Sequence, residues 1–298
     1  IWHGGWRKLK VMVTGAQGLV GRAVKSHCEE IADTVVAYDR RALDITDAAQ
    51  VMATIEEVRP DAIINCAAWT DVDGCELDHD RAMAVNANGP ESLARGARVV
   101  DALLITISTD YVFDGRKKNG FYTQQDLPNP ESFYGHSKLE GERRAQKEHV
   151  RTVVVRTGFV FGAGGRNFLS TIVERGRRGE KLKAIKDAYG TPTYAHDLAL
   201  RLRELAGLDL PETFHVVNSG DGVSFEEFAR AALEAANLPV LVEPVEMKSL
   251  HRPAPRPENS RLKCLVSGPA GLRPLPFWKD ALEHFVASTS STEAMARN

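Results

Sequence analysis

Tyr134 and Lys138 carry side chains that together could perform acid–base chemistry. They stand four positions apart in FYGHSK, residues 133–138, so on a helix they lie on the same side. An ammonium group beside a phenol favours the phenolate and lowers the phenol pKa from about 10. The pair is therefore suited to donating a proton near neutral pH. Ordinary surface pairs of this kind also occur, so other residues must decide its function.

Three glycines, Gly15, Gly18 and Gly21, lie between a short β-branched run and a helix-like pattern in TGAQGLVG. At a strand-to-helix turn, glycines permit a tight bend and let a pyrophosphate approach the helix N-terminus. The GxxGxxG spacing alone would also fit a plain tight loop. The preceding strand and the following helix supply the context that a dinucleotide site requires, so we expect a dinucleotide cofactor here.

Asp39 ends the second predicted strand, TVVAYDR, and is followed at once by Arg40 and Arg41. An acid at this place hydrogen-bonds the adenosine ribose, whereas arginine attracts a 2′-phosphate that a carboxylate repels. The sequence therefore leaves NADH and NADPH open, and we expect dual use with a modest preference for NADPH. A solvated charged turn is the structural alternative for all three residues.

Apolar strands alternate with helix patterns as far as about residue 162, for example in DAIINCAAW, DALLITISTDYVF and HVRTVVVRTGFVFG. Such alternation indicates a parallel sheet covered by helices on both faces. We predict an α/β protein with a Rossmann-type, doubly wound parallel sheet over residues 9–162. The strand-like FHVVNSG brings residues 191–219 back to this domain.

The chain after residue 162 is less regular and contains a basic helix pattern and a proline-rich segment. We predict that residues 163–190 and 220–287 form a smaller, discontinuous α/β substrate-binding lobe. Residues 288–298 contain few apolar side chains and are predicted to be a flexible tail.

The composition excludes several classes of protein. With 298 residues, 43% hydrophobic, 26% charged and a net charge of -2, the chain is typical of a soluble globular protein and offers no electrostatic reason to bind nucleic acid or an anionic membrane. No stretch approaches the roughly 18 apolar residues of a membrane span. The opening IWHGGWRKLK has no signal-peptide hydrophobic region, so we expect a cytoplasmic protein. Because the chain begins without methionine, residues 1–8 stay outside the fold argument.

The four cysteines, Cys28, Cys66, Cys75 and Cys264, include no CxxC pair. Neither a zinc site nor a disulfide framework is therefore expected, and reduced thiols are the default. No metal site is predicted.

Several longer motifs together resemble the dTDP-4-dehydrorhamnose reductase family of the extended short-chain dehydrogenase/reductase superfamily. They are RPDAIINCAAWTDVDGCE, AVNANGPESLA, ISTDYVFDG, FYGHSKLEGE, RTGFVFG and RPENSRL. The resemblance covers about residues 9 to 285. It implies reduction of the C4 ketone of dTDP-4-dehydro-L-rhamnose to dTDP-L-rhamnose, with NADPH or NADH as the cofactor and a dTDP-sugar as the substrate.

The resemblance makes Thr109, Tyr134 and Lys138 the catalytic residues. Tyr134 would protonate the ketone oxygen while nicotinamide delivers a hydride to the carbon. Thr109 would hydrogen-bond the same oxygen. Lys138 would bind the nicotinamide ribose and lower the tyrosine pKa.

The resemblance also implies a set of binding residues. Phe159 departs from the tryptophan expected in many relatives, and core packing or ordinary loop polarity is the structural alternative for several of the others. The cofactor residues are Gly15, Gln17, Gly18, Leu19, Val20, Asp39, Arg40, Asp44, Ile45, Ala67, Ala68, Trp69, Tyr134 and Lys138. The substrate residues are Thr109, Asp110, Tyr111, Phe159, Asn167 and Arg256, the last two for the diphosphate.

His196 opens a predicted helix in YAHDLA and is expected to cap it rather than to act in catalysis.

Two rival functions stay open. One is a non-catalytic, NADP-binding regulatory subunit resembling that of methionine adenosyltransferase, and the other is a different nucleotide-sugar 4-ketoreductase or epimerase. A homodimer is also left open.

Overall fold

Six parallel strands form the central sheet of the protein, which a computed structural model describes over residues 7–296. The strand order reverses between the first and third strands of the chain, which opens a crevice at their carboxyl ends. From edge to edge the strands are β2 (Thr34–Tyr38), β1 (Lys10–Thr14), β3 (Ala62–Asn65), β4 (Leu103–Thr109), β5 (Thr152–Thr157) and β10 (Thr213–His215).

Helices cover both faces of this sheet. Side chains along a strand alternate between faces, so Val11 and Val13 join one hydrophobic core while Met12 joins another. The first core includes apolar residues of α1 (Leu19–Glu30) and α8 (Ala195–Leu208). The second includes residues of α2 (Ala48–Val58) and α5 (Gly89–Val100). The predicted doubly wound α/β fold class is confirmed.

Three further helices complete the sheet domain near the crevice. They are α3 (Val72–Leu77), α4 (His79–Met83) and α6 (Phe133–Glu148). A π-helical turn over Ala84–Asn88 joins α4 to α5, and a 3₁₀ turn over Asp110–Val112 follows β4.

A separate hydrophobic core contains Phe161, Ile172, Phe228, Trp278 and Phe285. Its helices are α7 (Phe168–Arg177), α9 (Phe225–Ala235) and α10 (Trp278–Ala296), and a short 3₁₀ turn covers Met247–Ser249. The small strands nearby pair as β6 (Val160–Phe161) with β9 (Thr193–Tyr194), β7 (Leu182–Ile185) with β12 (Val242–Val245), and β8 (Tyr189–Gly190) with β11 (Val223–Ser224). The exact bounds of the two domains stay a prediction.

Helix α10 continues to Ala296 and so covers most of the segment for which a flexible tail was predicted; the flexibility of that segment stays a prediction. One local expectation needs correction. His196 does not cap α8: the N-cap is Tyr194, without a side-chain cap bond. His196 instead lies in the first turn, with its Nδ1 3.5 Å from Asp197 Oδ1.

Residues 1–6, and with them most of the segment set aside from the sequence argument, lie outside the described residues. Within residues 7–296, no helix combines the length and the apolar character that crossing a bilayer requires.

Candidate active site

A cleft of about 460 Å³ opens at the carboxyl ends of β1, β3, β4 and β5. It brings together twelve of the residues that the sequence assigned to cofactor or substrate. These are Gly18, Leu19, Val20, Ala67, Ala68, Thr109, Asp110, Tyr111, Tyr134, Lys138, Phe159 and Asn167.

The glycine turn after β1 packs backbone against backbone more closely than any side chain would allow. Gly15 has a φ of +66°, and a Cβ there would lie 2.6 Å from the Ala67 nitrogen; a Cβ on Gly21 would lie 2.2 Å from the Gly15 carbonyl oxygen. Gly18 is the N-cap of α1, and no side chain caps that helix end. Uncapped amides at the start of a helix attract anions, so these residues fit a dinucleotide pyrophosphate.

Tyr134 and Thr109 meet across the cleft. Helix α6 begins at Phe133 because the Ser132 hydroxyl accepts a hydrogen bond from the Gly135 nitrogen, at 3.2 Å. The first turn of α6 therefore presents Tyr134 toward the end of β4. The Thr109 and Tyr134 hydroxyl groups are hydrogen-bonded to each other. Both side chains are buried, at 9% and 5% exposure.

The pKa of Tyr134 is raised rather than lowered, mainly because burial disfavours the phenolate. The hydrogen bond with Thr109 acts in the opposite direction but is the smaller effect. The predicted lowering by Lys138 is therefore wrong for this structure. The Lys138 ammonium donates instead to the Ile107 carbonyl oxygen, at 2.6 Å.

Lys138 is itself 4% exposed. Burial lowers its pKa to about 8, and the Glu142 carboxylate opposes that shift. The ammonium therefore loses its proton within the range where enzymes operate, which makes its charge sensitive to its neighbours.

Asp110 lies beneath the floor of the cleft, at 4% exposure. Its carboxyl accepts a hydrogen bond from Thr109 Oγ1 at 3.1 Å, and another from the Ser260 side chain. A Cβ on Gly158 would lie 2.4 Å from its carboxyl carbon, so the glycine makes space for it. Burial outweighs the hydrogen bonds and raises the pKa of Asp110 to about 6.

Aromatic rings form the wall opposite the glycine turn. Phe159 has a φ of +48°, a conformation that side-chain-bearing residues rarely adopt. Its ring centroid lies 4.2 Å from that of Phe225, and a Cβ on Gly190 would lie 2.3 Å from the ring. Backbone strain of this kind concentrates at functional sites, and here it points an apolar ring into the cleft.

Several predicted cofactor residues do not line this cleft. Asp39 closes the turn after β2, because its Oδ1 accepts from the Arg41 and Ala42 nitrogens at 2.9 and 3.0 Å. Arg40 is exposed, with Nε 3.9 Å from Asp44 Oδ2. Hydrogen bonds from Thr46 lower the pKa of Asp44.

Four more of these residues have structural contacts of their own. Gly15 shapes the turn from behind the cleft, and the Gln17 carbonyl accepts from the Arg22 guanidinium. Ile45 is buried against Gly89. Trp69 exchanges two hydrogen bonds with the Asn86 side chain, at 2.8 and 3.0 Å.

The two residues predicted for the diphosphate are already engaged. Asn167 is the N-cap of α7, accepting from the Ser170 nitrogen at 2.9 Å and donating to the Val160 oxygen at 2.8 Å. Arg256 forms a two-pronged ion pair with Asp73, at 2.6 and 2.7 Å. Arg256 lies outside the main cleft but lines a smaller cavity with Tyr111, Phe159 and Arg252.

Sequence reasoning missed several residues of the site. Phe168 and Phe225 line the cleft from the second core, and Asp73 holds Arg256 from a position 183 residues away in the chain. Ser260 hydrogen-bonds Asp110. Asp73 and Ser260 stood inside quoted motifs without a role, whereas nothing in the local sequence marks Phe168 or Phe225. Among residues 7–296, no cluster of His, Cys, Asp and Glu is arranged to hold a metal ion.

Comparison with known proteins gives consistent matches over nearly the whole chain. Residues 9–291 match the family model described as RmlD substrate binding domain. A dTDP-4-dehydrorhamnose reductase of Streptomyces griseus is 38% identical, with 91% of each chain covered. A probable dTDP-4,6-dihydroxy-2-methyloxan-3-one 4-ketoreductase of Streptomyces antibioticus is 33% identical, covering 92% of this chain and 93% of that one.

A solved structure is similarly close. The crystal structure of a dTDP-4-dehydrorhamnose reductase from Bacillus anthracis in complex with NADP has a TM-score of 0.90 and 34% identity. The match covers 95% of this chain and 100% of that chain.

The raised pKa of Asp110 predicts a stability change on substitution. Its folded pKa of about 6 lies above the usual aspartate value of 3.8, so the folded state loses stability as pH rises from about 4 through 6. We expect Asp110→Asn to raise the unfolding free energy at pH 7.5, on the order of 2 kcal/mol, and to gain little near pH 4. Urea unfolding of the wild type and the variant at pH 4.5, 6 and 7.5 measures the difference in unfolding free energy at each pH.

Asp114 is the matched control, since it lies on the same loop and behaves oppositely. Burial opposes its ionisation, but hydrogen bonds from Tyr122, Arg116 and Asn129 outweigh burial and lower its pKa. Asp114→Asn should therefore lose stability at pH 7.5, by an amount that shrinks as pH falls. An Asp110→Asn protein that is destabilised equally at every pH would show that its hydrogen bonds matter more than its desolvation.

Proposed function

The chain belongs to the family described by the RmlD substrate binding domain, and on that basis we propose that it reduces the C4 ketone of dTDP-4-dehydro-L-rhamnose to dTDP-L-rhamnose with NADPH or NADH. The observation that carries the proposal is the meeting of Thr109, Tyr134 and Lys138 in one cleft with the glycine turn. The dTDP-4-dehydrorhamnose reductases among its relatives support the choice of substrate.

Tyr134 is suited to hold a proton until the ketone needs it. Because burial raises the phenol pKa, the hydroxyl stays protonated across the neutral range. The nicotinamide, when bound, supplies a hydride to the carbonyl carbon. Tyr134 donates its proton to the carbonyl oxygen, and the Thr109 hydroxyl donates a hydrogen bond to the same atom. Such donors stabilise the developing alkoxide.

Lys138 places a positive charge between the end of β4 and the site for the nicotinamide ribose. Its Nζ is fixed by the Ile107 carbonyl at 2.6 Å, which leaves its other protons for ligand hydroxyls. Phe159, Phe168 and Phe225 exclude water from the substrate end of the cleft. A drier site strengthens these electrostatic contacts.

Arg256 is our candidate for the substrate diphosphate, with Arg252 beside it. Both line the small cavity next to Tyr111 and Phe159, and a guanidinium matches phosphate oxygens well. Asp73 occupies the Arg256 fork in this structure, so the diphosphate would share or replace that partner. A homodimer and a cytoplasmic location stay predictions.

Removing the Tyr134 hydroxyl should stop turnover without removing the cofactor. We expect Tyr134→Phe to lower kcat by about 10²–10⁴-fold, since only the proton donor is lost, and to keep NADPH affinity within a few-fold. Lys138→Ala should lower both kcat and NADPH affinity. Steady-state kinetics and NADPH fluorescence titration give the two values. Tyr122→Phe removes a buried phenol outside the cleft and should leave kcat near the wild-type value. More than about a tenth of wild-type activity in Tyr134→Phe would contradict the proton-donor role.

The exposed arginines after β2 should set the cofactor preference. We expect the wild type to use both cofactors with a modest NADPH preference, and Arg40→Ala/Arg41→Ala to weaken NADPH more than NADH, because only NADPH carries a 2′-phosphate. Paired titrations with the two cofactors measure the difference. Arg98→Ala is the control, an exposed arginine whose partner Glu148 lies 3.8 Å away. Equal losses for NADH and NADPH would show that Arg40 and Arg41 do not reach the 2′-phosphate.

The nucleotide should contribute to turnover as well as to affinity. A remote diphosphate can hold the ketone in line for reduction, so we expect kcat/KM for the dTDP-sugar to exceed that of the nucleotide-free sugar by at least about 100-fold, the loss of one charged contact. A panel of dTDP- and UDP-4-keto sugars, followed by nicotinamide absorbance, tests this. Comparable values with and without the nucleotide would overturn the nucleotide-sugar assignment. No turnover on any sugar, despite tight NADPH binding, would favour the regulatory-subunit alternative.

A further inference from the structure

Glu142 lies one helical turn beyond Lys138 on α6 and is buried, at 4% exposure. A carboxylate is rarely buried this deeply without partners. Arg156, itself 7% exposed, donates two hydrogen bonds to it, from Nε at 3.0 Å and from Nη2 at 2.6 Å. The Ser108 hydroxyl donates a further one.

These contacts fasten α6 to the end of β4 at two successive residues. Lys138 binds the Ile107 carbonyl, and Glu142 binds the next residue, Ser108. In the sheet, Ser108 pairs with Arg156 of β5, so the same carboxylate also ties the two strands together. Thr109, which follows Ser108 directly, is thereby held opposite Tyr134.

We propose that Glu142 is a positioning residue for the reduction, which keeps Lys138 in its charged form and fixes the end of β4 beside it. The inference rests on the proposed function for the role of Lys138. Residues four apart on a helix are neighbours, so the carboxylate faces the lysine along one side of α6. The Glu142 charge favours the ammonium form of Lys138.

The other ionisable groups that face Lys138 do not supply this charge. Cys66 follows β3 and Cys75 belongs to α3; burial raises their pKa values to about 12 and about 11, so both thiols are neutral in the working range. Tyr134 is neutral for the same reason.

His215, which is influenced by the charge of Arg156, is neutral as well. Burial, with the charge of Arg156, lowers the pKa of His215 to about 4. The charge of Asp110 affects the pKa of Tyr134 and is not among the charges that affect the pKa of Lys138. Glu142 is therefore the acidic group that opposes the desolvation of the lysine.

The direction of the pH effect follows. Lys138 has a pKa of about 8, and its charged form binds the cofactor ribose and supports catalysis. NADPH affinity and kcat/KM should therefore both fall as pH rises through that value. Removing the Glu142 charge should lower the pKa further. The pH at which NADPH affinity and kcat/KM decline, the alkaline limb of each profile, should then move toward neutral pH by about one unit.

The test measures the NADPH dissociation constant by fluorescence and kcat/KM, each from pH 6 to 9.5, for variants at both ends of the ion pair. Glu142→Gln keeps the size and a hydrogen-bonding group but removes the charge, and we expect its alkaline limb about one unit lower. Arg156→Gln removes the opposite charge, and its limb should stay in place or rise. Glu142→Gln/Arg156→Gln leaves no unpaired buried charge and should shift like Glu142→Gln. Glu140→Gln, a carboxylate on α6 that accepts from Arg144 at 2.8 Å, is the control and should not shift.

A purely structural ion pair would give a different result. Breaking it from either end would then weaken NADPH by a similar factor at every pH, with no movement of the limb, and that outcome would overturn the proposal. A wild-type NADPH affinity that does not fall up to pH 9.5 would also overturn it. The binding data keep this test separate from the proposed function, since they can be collected even if no ketone is reduced.

Discussion

The reversal of strand order between β1 and β3 is the constraint on which the rest of the structure depends. Strands on either side of that point send their connecting helices in opposite directions, so the carboxyl ends of β1, β3 and β4 open into an uncovered crevice. The glycine turn, the alanines after β3 and Thr109 reach the same space for this reason alone. Helix α6 then needs only to present Tyr134 and Lys138 toward β4.

Desolvation sets the electrostatics of that crevice. It raises the pKa of Tyr134 and of Asp110 and lowers that of Lys138, so each group is pushed toward its neutral form. A neutral phenol is useful to a proton donor, whereas a neutral amine would be of no use to a cationic anchor. The chain places a buried carboxylate, Glu142, one helical turn from the group that must stay charged. The same physical effect thus helps one residue and has to be opposed at another.

Features that depend on residues close together in the sequence could be predicted from it. The alternation of apolar strands and helices gave the fold class, and glycines three residues apart after a strand gave the turn. Contacts between distant segments could not be predicted. Asp73 meets Arg256 across 183 residues, and Phe225 reaches the cleft from the second core. The pKa direction of Tyr134 was wrong because spacing reveals a neighbouring charge but not the depth of burial. The cap assigned to His196 was wrong because a helix boundary shifted by two residues changes which side chain can cap.

Strand β10 has a consequence for how the chain emerges during synthesis. It covers the outer edge of β5, a strand whose residues are all buried, yet it lies more than fifty residues later in the chain, after α7, β7 and α8. Until the ribosome has delivered residues 213–215, the hydrogen-bonding groups of β5 have no neighbour on that side. An uncovered apolar strand edge invites pairing with other chains. The late return of the chain to the sheet therefore leaves this strand edge uncovered while roughly fifty further residues are synthesised.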